Sequence, residues 1–377
     1  MEDSQRPSFE LIQATPKVLL HEHLDGGLRP STVLELAAEI GYEGLPKSDP
    51  KALGAWFHAG ADRGSLPEYL QGFAHTIAVM QTASALERVA YEFIEDMAED
   101  NIVYAEVRFA PHFHTENGLG LDGVLTAVLK GLERGSKEFK VGFGLIICAM
   151  RNQSSDLSLQ LAELAVSYRT HGCVGFDLAG EEAGHPANHH LAAFQFVKRM
   201  DFNITIHAGE SFGPESIWQA LQYCGAHRIG HGVRLLEDIV VYDKKVIRVG
   251  SLAQYVLDHR IPLELCLSSN VHTGAAKSLA EHPFPYYWQK NYRVTLNTDN
   301  RLMSATTMSK EYEIAVNEYG LSFDDLEQLS INAMKSAFAP YQERVQMIFG
   351  KIKPKFAELR KAHDLPSPDN PYWDGSN

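Results

Sequence analysis

The chain has 377 residues, 45% hydrophobic and 10% aromatic, which is enough apolar material for a substantial core, and it contains no apolar run approaching the roughly 20 residues that span a bilayer. Its 34 basic and 48 acidic side chains give a net charge of −14, which argues against nucleic acid and anionic membrane surfaces as partners, since both demand clustered positive charge. Cys148, Cys173, Cys224 and Cys266 lie far apart with no CxxC pair, so they read as core thiols and indicate neither a disulfide framework nor a zinc ribbon.

The N-terminal MEDSQRPSFELIQ is polar and acidic and lacks the charged start and apolar stretch of a secretory signal, so a cytoplasmic location is expected. The first β-like run is VLLHEH (18–23), followed by the longest connection, from Asp25 to about Asn101. Within it, SLPEYLQGF carries Leu66, Tyr69, Leu70 and Phe73 at helical spacing, and part of the connection is expected to form an active-site lid. TASALERVAYEFIEDMAED then places Leu86, Val89, Ala90, Phe93, Ile94 and Met97 on one helical face, with Ser84 and Glu87 fitting a capping box. Seven further β-like runs follow: 103–109, 141–149, 174–179, 204–208, 228–231, 263–269 and 293–298, each trailed by a stretch long enough for a helix. Eight such units predict an α/β fold with a parallel sheet, the (β/α)8 TIM barrel, with a long insertion after strand one and extra helices from about Lys310 to Arg360. Residues 1–363 read as one barrel domain and 364–377, rich in Pro, Asp, Asn and Gly, as a loosely held tail. The basic stretch 350–361 reads as the solvated face of a C-terminal helix.

His21 and His23 end the first run. Side chains alternate along a strand, so both imidazoles share one face, a geometry suited to a divalent metal. HAGE (207–210), IGHG (229–232) and LNTDN (296–300) also end β-like runs, and barrel enzymes place their chemistry at the carboxyl ends of the strands. Other histidines lack that setting. His112 and His114 follow Pro111 beyond a predicted strand and are expected in a loop or lid without metal, and His189, His190, His227 and His272 read as structural.

HEHLDG, HAGE, RIGHG, SSNVHTG and NTDN, in this order over nearly the whole chain, resemble the adenosine deaminase family of the metal-dependent amidohydrolase superfamily. The resemblance implies a (β/α)8 barrel holding one zinc ion through His21, His23, His207 and Asp299, with water in the remaining position. Zinc lowers the pKa of bound water towards ~7, which makes hydroxide available for attack on purine C6. His231, in a Gly-His-Gly context that permits close approach, would orient or deprotonate that water; a fifth ligand and a core histidine stay open as its other readings. Glu210 is the expected proton donor to purine N1, the other reading being a carboxylate that orients a histidine. Asp299 would both ligate zinc and accept a hydrogen bond from the attacking water.

Many members of the family read NTDDP, whereas here Asn300 and Arg301 follow Asp299. A carboxylate must be protonated to donate to purine N7, while the Asn300 amide donates at any pH. The resemblance further implies that the Gly180 N–H meets N3, that Asp25 binds the ribose 5′-hydroxyl, that His23 borders the substrate, and that Leu66, Tyr69, Leu70 and Phe73 cover the sugar; ordinary packing of a short helix stays open for these four. The expected reaction is hydrolysis of adenosine and 2′-deoxyadenosine to the inosine forms and ammonia. A related aminopurine is the nearest alternative. A silent nucleoside-binding barrel conflicts with the complete set of ligands, Glu210 and His231, and a phosphoesterase with the lack of basic groups near the site.

Overall fold

The computed structural model describes residues 6–242 and 245–366. Ten strands occur in them: β1 (Lys17–His23), β2 (Ile102–Phe109), β3 (Gly142–Met150), β4 (Cys173–Ala179), β5 (Asn203–Ala208), β6 (Arg228–His231), β7 (Ile239–Tyr242), β8 (Lys245–Val249), β9 (Leu263–Leu265) and β10 (Val294–Leu296). Eight form one parallel sheet in the order β1-β2-β3-β4-β5-β6-β9-β10. The two edges meet just past β10, where Asp299 bridges to Glu22 in parallel and the Leu20 N–H donates to Asn297 Oδ1 at 2.9 Å. This is the (β/α)8 barrel.

The strands are buried on both faces, as a barrel requires: Val18, Leu19 and Leu20 are fully covered, as are Ile146 and Ile147. The helix Ala83–Glu99 forms as its pattern predicts, with Leu86, Val89, Ala90, Phe93, Ile94 and Met97 inward. Its start differs from the expected capping box. Thr82 is the N-cap, its hydroxyl accepting from the Ala85 N–H at 3.2 Å, while Ser84 Oγ pairs with Thr82 Oγ. An earlier hydroxyl in the right backbone conformation reaches the free N–H groups first.

Three more differences have local causes. The run 263–269 stays extended only to Leu265, and residues Leu267–His272 turn into a short helix that carries Ser269 and Asn270 towards the cleft. The connection after β6 holds an antiparallel hairpin, β7 with β8, that the alternation of strands and helices did not foresee. The C-terminal helical pattern is broken into Met308–Tyr319, Phe323–Ser336 and Tyr341–Met347, then a π-helical turn at Ile348–Ile352 and the helix Lys353–Ala362, which buries Phe356 and Leu359 beneath its basic face. Of the expected tail, residues 367–377 lie outside the described residues. Among the described residues no helix is long and apolar enough to cross a membrane.

Candidate active site

Period-two alternation on β1 turns His21 and His23 to the same side, their ring centroids 5.6 Å apart. His207 is the penultimate residue of β5 and His231 ends β6, and parallel pairing of Ala208 with His231 brings these two rings to 5.3 Å. Asp299 follows β10. His231 and Asp299 both adopt left-handed backbone, with φ of 65° and 61°, a conformation that costs non-glycine residues about 1–3 kcal/mol and is retained where a side chain must be aimed. Asp299 is fixed by two backbone bonds to β1, its N–H to the His21 carbonyl at 2.9 Å and its carbonyl from the His23 N–H at 2.8 Å.

The cluster has the dimensions of a metal site. His23 Nε2 lies 3.0 Å from His207 Nε2, and Asp299 Oδ1 lies 3.3 Å from His21 Nε2 and 3.5 Å from His23 Nε2. Four ligands at ~2.0–2.2 Å from a tetrahedral zinc are roughly 3.3 Å apart. His21 Nε2 is buried and makes no hydrogen bond. A lone pair left bare among other acceptors is what a bound cation would occupy. His231 also falls within ligand distance of His21, His207 and Asp299.

The far sides of two rings are held by carboxylates inside the barrel. His21 Nδ1 donates to Glu264 at 2.8 Å, and His207 Nδ1 lies 3.0 Å from Asp177. Arg108, fully buried, joins the two carboxylates at 2.9 Å each. Burial pushes both carboxyls up, but the His207 ring and the Arg108 charge hold Asp177, and the Arg108 and Arg228 charges hold Glu264, well below the ordinary range. Against the same upward push, the adjoining imidazoles of His21, His231 and His23 hold Asp299 well below the ordinary range. Arg228 is shared with Glu106 at 2.7 Å, so four carboxylates against two guanidiniums leave two negative charges around four imidazoles, which suits a divalent cation. Asp177, Glu264 and Arg108 were missed by sequence reasoning. Their signal was a charged residue inside an otherwise apolar strand, where only a barrel interior offers partners.

Glu210 stands beyond the metal cluster, 4% exposed, with Oε2 3.7 Å from His231 Nε2. Burial, then the Asp299 and Glu182 charges, raise its pKa well above the usual carboxylate value, which favours the protonated acid. Its loop is organised by Glu182, whose carboxylate accepts the N–H groups of Gly209, Glu210, Ser211 and Phe212 at 2.7–3.0 Å. Nothing in the spacing of DLAGEE marked Glu182 for this.

These groups open on a cavity of about 270 Å³. All eight residues expected to touch substrate line it: His23, Asp25, Gly180 and Asn300 on the barrel side, and Leu66, Tyr69, Leu70 and Phe73 from the insertion after β1. Ala110, Cys148 and Ala179 complete a largely apolar wall. Gly180 has φ 93°, a backbone geometry that a side chain would strain. Asp25 sits in a 3-10 turn, 4% exposed, its Oδ1 without a partner, and burial raises it to about 7. His114, expected in a loop or lid without metal, is fully buried in the 3-10 turn Pro111–His114; its Nδ1 donates to the Met80 carbonyl at 3.1 Å and its Nε2 lies 3.9 Å from Asp25. His272 is not isolated either, its ring lying 5.1 Å from His58 with Asp62 within ligand distance. Arg301 points away from the cavity and ties Glu22 to Asp96 at 3.0 and 2.7 Å, so the departure after Asp299 splits into a cavity residue, Asn300, and a structural clasp.

Similarity to known proteins agrees with this geometry. A chain from Streptomyces coelicolor, Adenosine deaminase 1, is 54% identical over 95% of this chain and 91% of its own length. The solved adenine deaminase of Arthrobacter aurescens superposes with a TM-score of 0.81 at 25% identity, covering 92% of this chain and 99% of that one. The N6-methyl-AMP deaminase of Arabidopsis thaliana gives 0.78 at 28% identity over 94% and 100%. The profile of the family described as Adenosine deaminase matches residues 16–353, so this chain, a hydrolytic deaminase of the metal-dependent amidohydrolase type, belongs to the adenosine deaminase family.

Proposed function

We propose that the cavity takes adenosine and 2′-deoxyadenosine and replaces the C6 amino group with oxygen, yielding inosine or 2′-deoxyinosine and ammonia, with one zinc ion held by His21, His23, His207 and Asp299. Bound there, zinc would acidify water and make hydroxide available at neutral pH. Addition of oxygen to C6 destroys ring aromaticity and builds charge on N1. Glu210, protonated in its buried setting, gives its proton to N1 as that charge appears. Of the two water protons, one leaves with the amine as ammonia and the other restores Glu210; Asp299 is the group placed to move them, and His231 orients the attacking oxygen. Gly180 N–H and the Asn300 amide would meet N3 and N7, and Asp25 the 5′-hydroxyl.

The observation that carries a nucleoside rather than a nucleotide is the charge of the lining. Asp25 is at the end assigned to the sugar, and among the described residues neither lysine nor arginine lines the cavity. A 5′-phosphate would find an acid where it needs a cation. The four buried, unpaired cysteines fit a reducing, cytoplasmic setting, and the continuous core fits one domain up to residue 363. The test is ammonia release from adenosine, 2′-deoxyadenosine, adenine, AMP and cytidine, with and without prior metal removal. Metal-dependent turnover led by the two nucleosides is expected. Preference for adenine would overturn the sugar role of Asp25, and silence on all five would overturn the deaminase assignment to these substrates.

A further inference from the structure

Four imidazoles crowd the cleft, and distance alone does not separate metal ligands from the histidine that serves the reacting atoms. The hydrogen bonds on their far sides do. His21 and His207 each turn Nδ1 to a carboxylate, Glu264 and Asp177, which only accepts; the ring proton is therefore on Nδ1 and a lone pair faces the cleft from Nε2. His231 is wired with the opposite polarity. Its Nδ1 lies 3.0 Å from Asn270 Nδ2.

The orientation of that amide is fixed by backbone. The Cys266 N–H donates to Asn270 Oδ1 at 3.2 Å, and a backbone N–H has no other role, so the oxygen is on that side and the NH2 group on the side of His231. An amide NH2 only donates. The Nδ1 of His231 is then an acceptor, and in the neutral ring the proton is on Nε2. The same oxygen receives a second bond from His282 Nε2 at 3.1 Å, and His282 is set in turn by the Phe284 N–H, which donates to its Nδ1 at 3.0 Å. Two backbone donors thus fix every polarity in the chain from His282 through Asn270 to His231. All three side chains are buried, at 2%, 0% and 1% exposure, so water does not compete.

We propose that Asn270 and His282 are positioning residues that hold His231 in its Nε2–H form, so that this ring presents a proton to the cleft while its neighbours present lone pairs. This inference rests on the deaminase reading only for the step that His231 serves. The short helix Leu267–His272 has this as one of its purposes: Ser269 beside Asn270 donates to Asp299 at 2.5 Å, so one turn of helix sets both a ligand and its opposite. A ring with Nε2 protonated cannot coordinate through that atom, which removes His231 from the ligand set.

The experiment is 15N imidazole NMR on the metal-free and metal-loaded enzyme, read beside kcat and KM. In the wild type, His231 Nε2 is expected to be pyrrole-like and Nδ1 pyridine-like in both forms. Asn270→Asp replaces the donor with an acceptor, so the two signals should exchange character and kcat should fall roughly 100-fold or more with KM changed by less than about threefold. His282→Gln keeps an N–H for Asn270 Oδ1 and should retain the wild-type pattern, whereas His282→Phe removes it and should show a mixture of both tautomers with reduced kcat. Wild-type-like signals in Asn270→Asp, or exchanged signals with kcat within about threefold of wild type, would overturn the proposal. If Asn270→Asp does not fold, the two His282 variants decide by the same spectra, equal behaviour of Gln and Phe counting against the relay. A wild type silent on every purine would sink the deaminase reading and still leave the tautomer signals to judge the relay.

Discussion

Glu264→Gln is the sharpest perturbation of the scaffold beneath the metal cluster. The Glu264 carboxylate is fully buried and accepts from Arg228 Nε at 2.5 Å, His21 Nδ1 at 2.8 Å, Arg108 at 2.9 Å and the Thr205 hydroxyl at 3.1 Å. Glutamine has the same shape, but one of its two positions becomes an NH2 group. Turned one way it faces Arg228 and Thr205, turned the other it faces Arg108 and His21, so in either case donors meet donors. Arg108 keeps Asp177 at 2.9 Å and Arg228 keeps Glu106 at 2.7 Å, so each guanidinium loses one of two charged partners, and the donors left facing each other in a site that water does not reach cost ~1–3 kcal/mol, a sizeable share of the ~5–15 kcal/mol that keeps a typical domain folded. Urea unfolding of the metal-free variant isolates that loss. Competition with a chromophoric chelator then reports the second effect: His21, without its acceptor, loses both orientation and basicity, and metal affinity should fall roughly 10–100-fold. A stability change under about 1 kcal/mol together with unchanged metal affinity would refute the argument that this carboxylate organises the site.

Further tests address single links. Glu210→Gln should keep one metal per chain and lose kcat by ~10²–10⁴, because the amide has no proton to give, whereas His21→Ala should lose the metal itself; normal turnover in the first variant would remove the acid assignment. At pH 8, where Asp25, raised to about 7, is ionised, AMP should be used roughly 10³-fold less efficiently than adenosine, since a unit charge about 4 Å from the carboxylate costs ~4 kcal/mol at an effective dielectric of ~20; comparable kcat/KM values for the two would refute the sugar role. His114 is neutral in the fold, pushed by burial from 6.5 down to about 4, while the unfolded chain takes up the proton near 6.5. The unfolded state therefore binds more protons between those values, and stability is lost as pH falls through that window by up to ~1.4 kcal/mol per pH unit. His114→Asn, which keeps a donor for the Met80 carbonyl, should be less acid-sensitive by about 2 kcal/mol between pH 6.5 and 5; parallel stability curves for the two proteins would show that His114 is not held neutral.

The barrel was legible because each of its strands carries a local mark, a short β-like run, and several of these, at β1, β4, β5, β6 and β10, are closed by histidine, aspartate or glycine. What stayed hidden depends on pairs distant in sequence. Asp177 and Glu264 are visible as charges in VGFDLA and LELCL, but what they hold is settled only when parallel pairing brings β4 beside β5, and β9 beside β6 and β10. The helix at Leu267–His272 was read as strand because LELCLSS is locally β-like, and tertiary demand overrode it: an extended chain would have sent Ser269 and Asn270 to opposite faces, whereas one helical turn delivers both to the cleft. The sequence placed His114 in a loop or lid without metal, but its burial 3.9 Å from Asp25 depends on the fold and could not be read from the local pattern.

The same logic explains why two residues held in left-handed backbone are also among the most informative. Local preference would place glycine at the left-handed positions that His231 and Asp299 occupy, and glycine does follow His231 at once, with φ 70° at Gly232. Neither site can be glycine, because the chemistry needs an imidazole in one place and a carboxylate in the other. At Asp299 the conformational cost is met by the two backbone bonds to β1, which are also the bonds that close the barrel between its last and first strands. At His231 it is met by the Asn270 bond and by the Gly232 N–H, which donates to the Ala208 carbonyl at 3.0 Å. Closure of the sheet and aim of the ligand are thus one set of hydrogen bonds, so a substitution that loosens the seam between Glu22 and Asp299 acts on the metal cluster before it acts on the fold.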